Sequence, residues 1–382
     1  MWSYKKQDKP LYKKVKGELE VNWDFLHTLL LKQSPSDTIH EDKFIKWLRN
    51  HIKKHIPTAK IETDSIGNTY VTKGKSDIYP CIVAHTDTAQ QYHENMQIVN
   101  TKTWVLAIDN NTGTQVGPGF DDKSGVYIAL TLLKKFDNIK CFFPTMEEMG
   151  CVGSSKANFK WFKDCSFLAQ PDRNSYKCDF ISHTNGIQVC DNSFMSQIKE
   201  EMLKYGYKEA SGTCTDIGAI KKSDLVECPA YNFSVGYFLE HSDEEVLNCN
   251  AFSNALNFLN EVIEKVGYIK HYHKSPKYEP VTYFNNKRWE DPRDYGKLFD
   301  DLYEEDTIIP HTQLVRHECD SFTFDDYESM QWVEECLEYG ECPHCQSNNL
   351  VEQVDTSILC TNCDGKWNIP VGEPILREEW DY

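Results

Sequence analysis

The chain has 382 residues, 40% of them hydrophobic, so it can bury a sizeable core in one large domain or two smaller ones. Its formal net charge of -18 argues against broad binding to nucleic-acid phosphates and is compatible with a site for cations. The apolar runs are too short to span a membrane and the start, MWSYKKQDKP, lacks the apolar core of a signal peptide, which predicts a cytoplasmic protein that does not bind membranes.

The first predicted elements are two helices. Apolar residues recur at helical spacing over residues 23–33 and again over 42–55. The polar stretch SPSDTIHE separates them, and Ser36 or Asp42 is expected to cap the second helix.

Strands and helices then alternate as far as residue 268. A hairpin is predicted over IETDSIGNTYVTKG with Gly67 and Asn68 at its turn, and a helix begins near Gly125. Apolar strands are predicted at CIVAH, IKCFF, SFLAQ and YNFSVGY, and a last helix covers 251–266. This alternation predicts an α/β fold with a mixed central sheet flanked by helices.

The composition changes after this region. We predict a catalytic domain over residues 1–268, a linker or acidic extension over 269–335, and a small zinc ribbon over 336–382. The His-rich KHYHK, residues 270–274, is interpreted as polar linker rather than as a further metal site.

Metal-competent side chains follow several of the predicted strands. They are His85, Asp87, Asp121, Asp122, Glu147, Glu148, Asp172 and His241. Because strands of an open α/β sheet end at one crevice, these groups can converge, and so many carboxylates need a cation. Two histidines with several carboxylates suit divalent transition metals, and there are enough ligands for two ions with one carboxylate bridging them.

Each of these residues has a simpler interpretation when it is considered alone. Glu147 and Glu148 could be a solvated strand end, His85 a core histidine and His241 a loop residue. Their order and their neighbours favour the metal site.

The motifs AHTDT, GPGFDDKSG, TMEEMGCVGS, QPDRNS and SVGYFLEHSDEE occur in that order. Over roughly residues 22 to 268 the chain thereby resembles the co-catalytic zinc exopeptidases, in particular the peptidase T-like aminotripeptidases. The resemblance implies two active-site metals, zinc first and cobalt or manganese as alternatives, and a short peptide as substrate.

The resemblance also assigns roles to individual residues. It implies that His85 and Asp172 hold one metal, that Glu148 and His241 hold the other, and that Asp121 bridges them. It further implies that Glu147 is the general base, that Asp87 orients His85, and that the peptide bond between Asp121 and Asp122 is cis.

Substrate contacts are predicted in two places. Thr215 and Asp216 occupy the position of a Gly-Thr-Asp element near the substrate in the family, where they would contact the substrate or support the ligands. Arg173 either binds a substrate carboxylate or pairs with Asp179 at the surface.

The chain departs from the peptidase T pattern between Asp172 and His241. His241 follows Asp172 by 69 positions, and the residues between them are filled by pieces that the sheet itself needs, so we predict that the family's inserted lid domain is missing.

The predicted function is hydrolysis of the amino-terminal peptide bond of short peptides. A carboxypeptidase or an N-acyl amino acid amidohydrolase of the same fold is the alternative. An inactive enzyme that serves as a binding protein through its zinc ribbon is a rival from another class.

The fifteen cysteines form no dense disulfide framework, which indicates reduced thiols and one metal cluster. Cys342, Cys345, Cys360 and Cys363 have the spacing C-x2-C-x14-C-x2-C of a closed structural zinc site. With few basic residues around it, this ribbon would contact a protein or simply stabilise its own segment. Cys81, Cys141, Cys151, Cys165 and Cys214 are predicted to be buried without a role, and Cys214 is the one whose reactivity needs a test.

Overall fold

Strands and helices alternate along a computed structural model that describes residues 12–15, 18–175, 177–275, 350–352, 357–360 and 366–368. The chain divides into two compact units, Met1–Val281 and Thr282–Tyr382. Among the described residues, no helix combines the length and the apolar character needed to cross a bilayer.

The helices of the first unit are α1 (Trp23–Leu30), α2 (Ile39–His55), α3 (Phe120–Lys135), α4 (Val152–Ser155), α5 (Asn192–Gln197), α6 (Lys199–Tyr205), α7 (Asp216–Lys221) and α8 (Cys249–Val266). Its first eight strands are β1 (Tyr12–Val15), β2 (Glu18–Val21), β3 (Ala59–Thr63), β4 (Thr69–Lys73), β5 (Tyr79–Val83), β6 (Met96–Asn100), β7 (Trp104–Asp109) and β8 (Gln115–Val116). The others are β9 (Ile139–Phe143), β10 (Cys165–Arg173), β11 (Asp179–Thr184), β12 (Ile187–Gln188), β13 (Lys208–Gly212), β14 (Ala230–Ser234), β15 (Tyr237–Phe238) and β16 (Val246–Asn248).

The central sheet has the strand order β12-β11-β14-β10-β5-β9-β4-β3, with β13 paired to β11. Strands β9, β5, β10 and β14 run parallel at its centre, and β4 and β11 join them antiparallel. The fold is therefore the predicted α/β fold with a mixed central sheet. A second, antiparallel sheet contains β15, β16, β7, β6 and β8.

Helices cover both faces of the central sheet. In β5, Cys81 and Val83 pack with Ile217 of α7 on one face. Ile82 on the other face belongs to the larger cluster that contains the apolar side chains of α3 and α8. This two-sided burial explains why the central strands are continuous apolar runs.

Helix α2 begins at Ile39, earlier than the predicted range of 42–55, and it is capped differently than the sequence predicts. Its N-cap is Thr38, whose extended backbone lets the hydroxyl accept a hydrogen bond from the His40 N–H at 3.2 Å. Ser36 instead donates its hydroxyl to Asp87, and Asp42 is an exposed residue of the first turn. The predictions of Ser36 and Asp42 as the cap were therefore wrong.

The segment after α8 belongs to the first unit and packs against the rest of it. His271 and His273 are buried, with His271 Nε2 3.2 Å from the Val266 carbonyl and His273 Nε2 3.1 Å from the Gln188 carbonyl. His273 Nδ1 also lies 3.4 Å from Asp191 Oδ2, so KHYHK has the buried contacts of a folded segment.

The second unit is described through three strands, β17 (Leu350–Glu352), β18 (Ser357–Cys360) and β19 (Lys366–Asn368), which form an antiparallel sheet. Cys360 ends β18, whereas Cys342, Cys345 and Cys363 lie outside the described residues. The zinc ribbon stays a prediction.

Candidate metal centre

The five predicted metal ligands lie together at the carboxyl edge of the central sheet. They reach it from the ends of β5, β9 and β10, from the start of α3 and from the loop after β15, and they are His85, Glu148, Asp172, Asp121 and His241.

The Asp121 carboxylate lies between the two histidines. Its Oδ1 is 3.0 Å from His85 Nε2 and its Oδ2 is 3.3 Å from His241 Nε2. Each histidine meets one further carboxylate, at 3.6 Å between His85 Nε2 and Asp172 Oδ1 and at 3.1 Å between His241 Nε2 and Glu148 Oε2. The cluster thus has two halves that share Asp121, in the grouping that the resemblance implies.

A buried carboxylate holds the turn that presents Asp121. Glu245 accepts hydrogen bonds from the main-chain N–H groups of Gly119 at 2.8 Å, Phe120 at 3.0 Å and Asp121 at 3.0 Å. The peptide bond between Asp121 and Asp122 is cis, as the resemblance implies. The sequence did not predict a role for Glu245, because its partners are main-chain groups that are brought close to it only when the chain folds.

Asp87 connects His85 to the paired glutamates. Its Oδ1 lies 3.4 Å from His85 Nδ1 and accepts from the Glu147 N–H at 2.9 Å, while Oδ2 accepts from the Glu148 N–H at 3.1 Å. Ser36 donates its hydroxyl to the same oxygen Oδ2. One buried carboxylate therefore fixes both the imidazole and the backbone from which the two glutamate side chains leave.

The Glu147 side chain points into the same cavity without joining either half of the cluster. Burial, and the negative charges of Asp216, Asp172 and Asp121, raise its pKa to about 10 although His85 acts in the opposite direction. A cation beside it would favour the carboxylate form and so make it able to accept a proton at neutral pH.

Charges within the cluster favour bound cations. Hydrogen bonds to Asp121 and Glu148 raise the pKa of His241 to about 11. Burial alone lowers the pKa of His85, but hydrogen bonds to Asp121, Asp172 and Asp87 raise it well above its ordinary value. In the metal-free protein, protons on the imidazoles therefore offset the negative charge of the carboxylates. Bound metal ions would offset the same charge.

Two buried oxygens also lack partners. Glu148 Oε1 and Asp122 Oδ2 accept no hydrogen bond from the part of the chain that the structure describes. Ligand atoms of His85, Asp121 and Glu148, and of His85, Asp122 and Asp172, lie within 4.8 Å of one another. The residues therefore fit divalent metals of the zinc, cobalt or manganese type.

The adjoining cavity has a volume of about 160 Å³, and its wall contains two of the predicted substrate contacts, Thr215 and Arg173. Thr215 donates to Gln170 Oε1 at 2.7 Å, and Gln170 Nε2 donates to Asp172 at 2.8 Å and to Asp216 at 3.1 Å. Asp216 is fully buried, so its position corresponds to support of Asp172 rather than direct contact with substrate.

Arg173 Nε lies 3.5 Å from Asp179 Oδ2. Of the two roles that the sequence predicts for Arg173, this distance corresponds to the ion pair with Asp179.

Sequence reasoning missed Glu245, Gln170 and Lys123. Lys123 is fully buried, donates to Ser34 and lies 3.1 Å from the Thr86 carbonyl. The position of Lys123 directly after Asp121 and Asp122 was the feature of the sequence that could have identified it.

The thiols partly differ from expectation. Cys81, Cys141, Cys151 and Cys165 are buried as predicted, whereas Cys214 is exposed at the cavity and the prediction that it is buried was wrong. Cys214 lies between β13 and α7, in a turn that opens to solvent.

No protein-family model matches the chain, and no curated protein sequence matches it. Among solved structures, the fold is similar to that of an aminopeptidase PepT from Bacillus cereus ATCC 10987, with a TM-score of 0.52 and 12% identity over 64% of this chain and 97% of that one. A tripeptidase from Staphylococcus aureus has 12% identity over 64% of this chain and 97% of its own, with a TM-score of 0.48. A TET aminopeptidase from a marine-sediment Thaumarchaeota archaeon has 13% identity over 65% of this chain and 97% of its own, also with a TM-score of 0.48. At such identities the similarity shows a shared fold and nothing more. Of these three structures the first has a TM-score above 0.5, so the conclusion about the fold rests on it.

Proposed function

We propose that the protein is an exopeptidase that uses two divalent metals to hydrolyse the amino-terminal peptide bond of short peptides. The observation that carries the proposal is the Asp121 carboxylate between His85 and His241, because it supplies one ligand atom to each half of the cluster. When bound there, the cations would polarise the scissile carbonyl and lower the pKa of a water molecule.

The side chains around the ligands divide the remaining work. Glu147 accepts the proton of the attacking water and returns it to the leaving amine. Asp87 keeps His85 oriented and holds the main chain of Glu147 and Glu148, so that adjacent side chains serve different purposes.

The charge of the cavity favours a substrate that presents an amino group. Beyond the residues proposed to bind metal or to act as the base, its wall contains the carboxylate of Glu240, whereas Arg173 is within ion-pair distance of Asp179. A free amine gains from such surroundings and a free carboxylate is repelled. This contrast supports an aminopeptidase over a carboxypeptidase, and the Bacillus cereus protein of similar fold is an aminopeptidase.

The decisive variant is Glu147→Gln, with Glu148→Gln as its matched control. Loss of the general base should lower kcat by about 10³-fold while bound metal, measured by elemental analysis, stays unchanged. Glu148→Gln should instead lose metal. If Glu147→Gln also loses metal, the roles of the two residues are assigned wrongly.

Substrate class follows from a peptide library with free, amino-acetylated and carboxyl-amidated members, digested by metal-replete protein. Cleavage that needs the free amine and tolerates the amide supports the proposal. Cleavage of the acetylated peptides, or dependence on a free carboxylate, would support an amidohydrolase or a carboxypeptidase. If metal is bound at the predicted zinc ribbon alone and no peptide is cleaved, the result would support the rival hypothesis of an inactive enzyme that serves as a binding protein.

A further inference from the structure

Two cysteines from distant parts of the chain meet in the cavity. Cys151 Sγ lies 3.4 Å from Cys214 Sγ, although 63 positions separate them. Cys151 is the N-cap of α4, in the turn after β9, and Cys214 belongs to the segment between β13 and α7. The turn that carries Glu147 and the segment between β13 and α7 are thereby in contact through their sulfur atoms.

The buried thiol of this pair also contacts the proposed general base. Cys151 Sγ donates to Glu147 Oε1 at 3.3 Å, and the Cys151 N–H donates to the Glu147 carbonyl at 2.7 Å. Any change of the Cys151 sulfur therefore acts directly on the Glu147 carboxylate.

Cys214 has the properties of a reactive thiol. It is exposed, whereas Cys151 is buried. Its contact with the Cys151 thiol, helped by the charge of Lys222, lowers the pKa of Cys214 to about 6 despite partial burial. At neutral pH Cys214 is thus largely the thiolate, the form that reacts with oxidants and disulfides.

We propose that Cys151 and Cys214 form a reversible disulfide that switches the peptidase site off. The sulfurs need to approach by roughly 1.4 Å to reach the bond length of a disulfide. The bond removes the S–H donor of Glu147 and ties the turn after β9 to the segment between β13 and α7. The effect on turnover depends on the proposed function, whereas formation of the disulfide does not.

The oxidant is a peroxide, and the step is balanced in two stages. Cys214 thiolate attacks one peroxide oxygen and breaks the O–O bond, which gives a sulfenic acid and hydroxide, and the hydroxide becomes water by taking up the proton that the thiol had lost to solvent. Cys151 sulfur then attacks the Cys214 sulfur and displaces the second oxygen as water. Overall the two thiols lose two protons and two electrons to hydrogen peroxide, and a reducing phosphine or dithiol reverses the change.

The test uses the full-length, metal-loaded protein and sub-stoichiometric to stoichiometric hydrogen peroxide. After alkylation and digestion, mass spectrometry should find a peptide that links Cys151 to Cys214, and activity should fall at least 10-fold in parallel. A phosphine reductant should restore both, with the metal content unchanged throughout.

Cys214→Ser and Cys151→Ser should each keep their own starting activity after peroxide treatment, since neither can form the bond. Cys178→Ser, which alters a half-buried thiol elsewhere, is the matched control and should respond as the unaltered protein does.

Three results would overturn the proposal. In the first, the two cysteines are alkylated or oxidised separately and no linked peptide appears. In the second, the disulfide forms and activity is unchanged. In the third, Cys214→Ser is inactivated as fast as the unaltered protein. If the untreated protein cleaves no peptide, the proposed function fails instead, and the linked peptide alone decides whether the disulfide exists.

Discussion

Glu245 shows at the scale of a single residue how a buried carboxylate can position a predicted metal ligand, Asp121, through that residue's main chain. Glu245→Gln should lower the free energy of unfolding by about 2 kcal/mol, because Glu245 accepts through both side-chain oxygens whereas an amide has only one acceptor oxygen. It should also weaken metal binding, since the turn that carries Asp121 is released. Urea denaturation and metal titration measure the two effects.

The control for this prediction is the adjacent residue. Glu244 is exposed, so Glu244→Gln should change the free energy of unfolding by less than about 0.5 kcal/mol. Equal effects of the two substitutions would show that Glu245 acts only through the protein's charge.

At this scale the sequence predicted the residues that carry chemistry better than those that hold them. His85, Asp121 and Glu148 stand after apolar runs or before a helix, so pattern alone indicates that they meet at one sheet edge. Glu245 and Gln170 bind main-chain groups and other side chains across the fold, and these contacts have no local signature. The exposure of Cys214 likewise depends on how two distant segments meet.

Among the elements, the short helix α4 depends on a close approach that only glycine allows. A Cβ added at Gly153 would lie 2.3 Å from the Thr145 carbonyl oxygen and 2.7 Å from the Thr145 nitrogen, and backbone atoms cannot move aside easily. Gly153→Ala should therefore destabilise the protein by about 1 to 3 kcal/mol and displace the turn that carries Glu147.

Thermal unfolding and activity check the Gly153 prediction. Ser155→Ala, at an exposed position of the same helix, is the control and should behave as the unaltered protein. A Gly153→Ala variant of normal stability and activity would contradict the tight packing.

The start of α2 provides a second test among the elements. Thr38→Ala should cost about 1 kcal/mol of unfolding free energy, because the His40 N–H loses its acceptor. Asp42→Asn, at the cap position that the sequence predicts, should cost less. Chemical denaturation of both variants compares them, and a larger loss for Asp42→Asn would contradict the assigned cap.

Helix bounds were harder to predict than the helices themselves, for a reason visible here. Ser36 and Thr38 are both good capping residues, and the choice between them follows from the hydrogen bond of Ser36 to Asp87. The central strands were easier, because burial on two faces leaves an apolar run in the sequence.

For the molecule as a whole, the metal-free protein should lose stability as the pH rises. The pKa of His241 is about 11 in the folded state against roughly 6.5 when unfolded, so its proton stabilises the folded state fully below about 6.5. That contribution is lost as the pH rises through 11. Asp172, whose pKa burial and the charge of Asp121 raise to about 8, acts in the same direction.

Metal binding should consequently release protons and strengthen with pH, because the ligands must give up the protons that they hold in the metal-free protein. Calorimetry in buffers of different ionisation enthalpy measures the release, and melting of the metal-free protein from pH 6.5 to 10 measures the stability. Metal binding without proton release would contradict the assigned ligands.

The Asp87 carboxylate, which contacts His85 and the main chain of both glutamates, has a further consequence for motion. Because the loops after β5 and β9 share this attachment, thermal displacements of the loops are correlated. We therefore expect the distance between the His85 imidazole and the Glu147 backbone to fluctuate less than the position of either residue in the molecule.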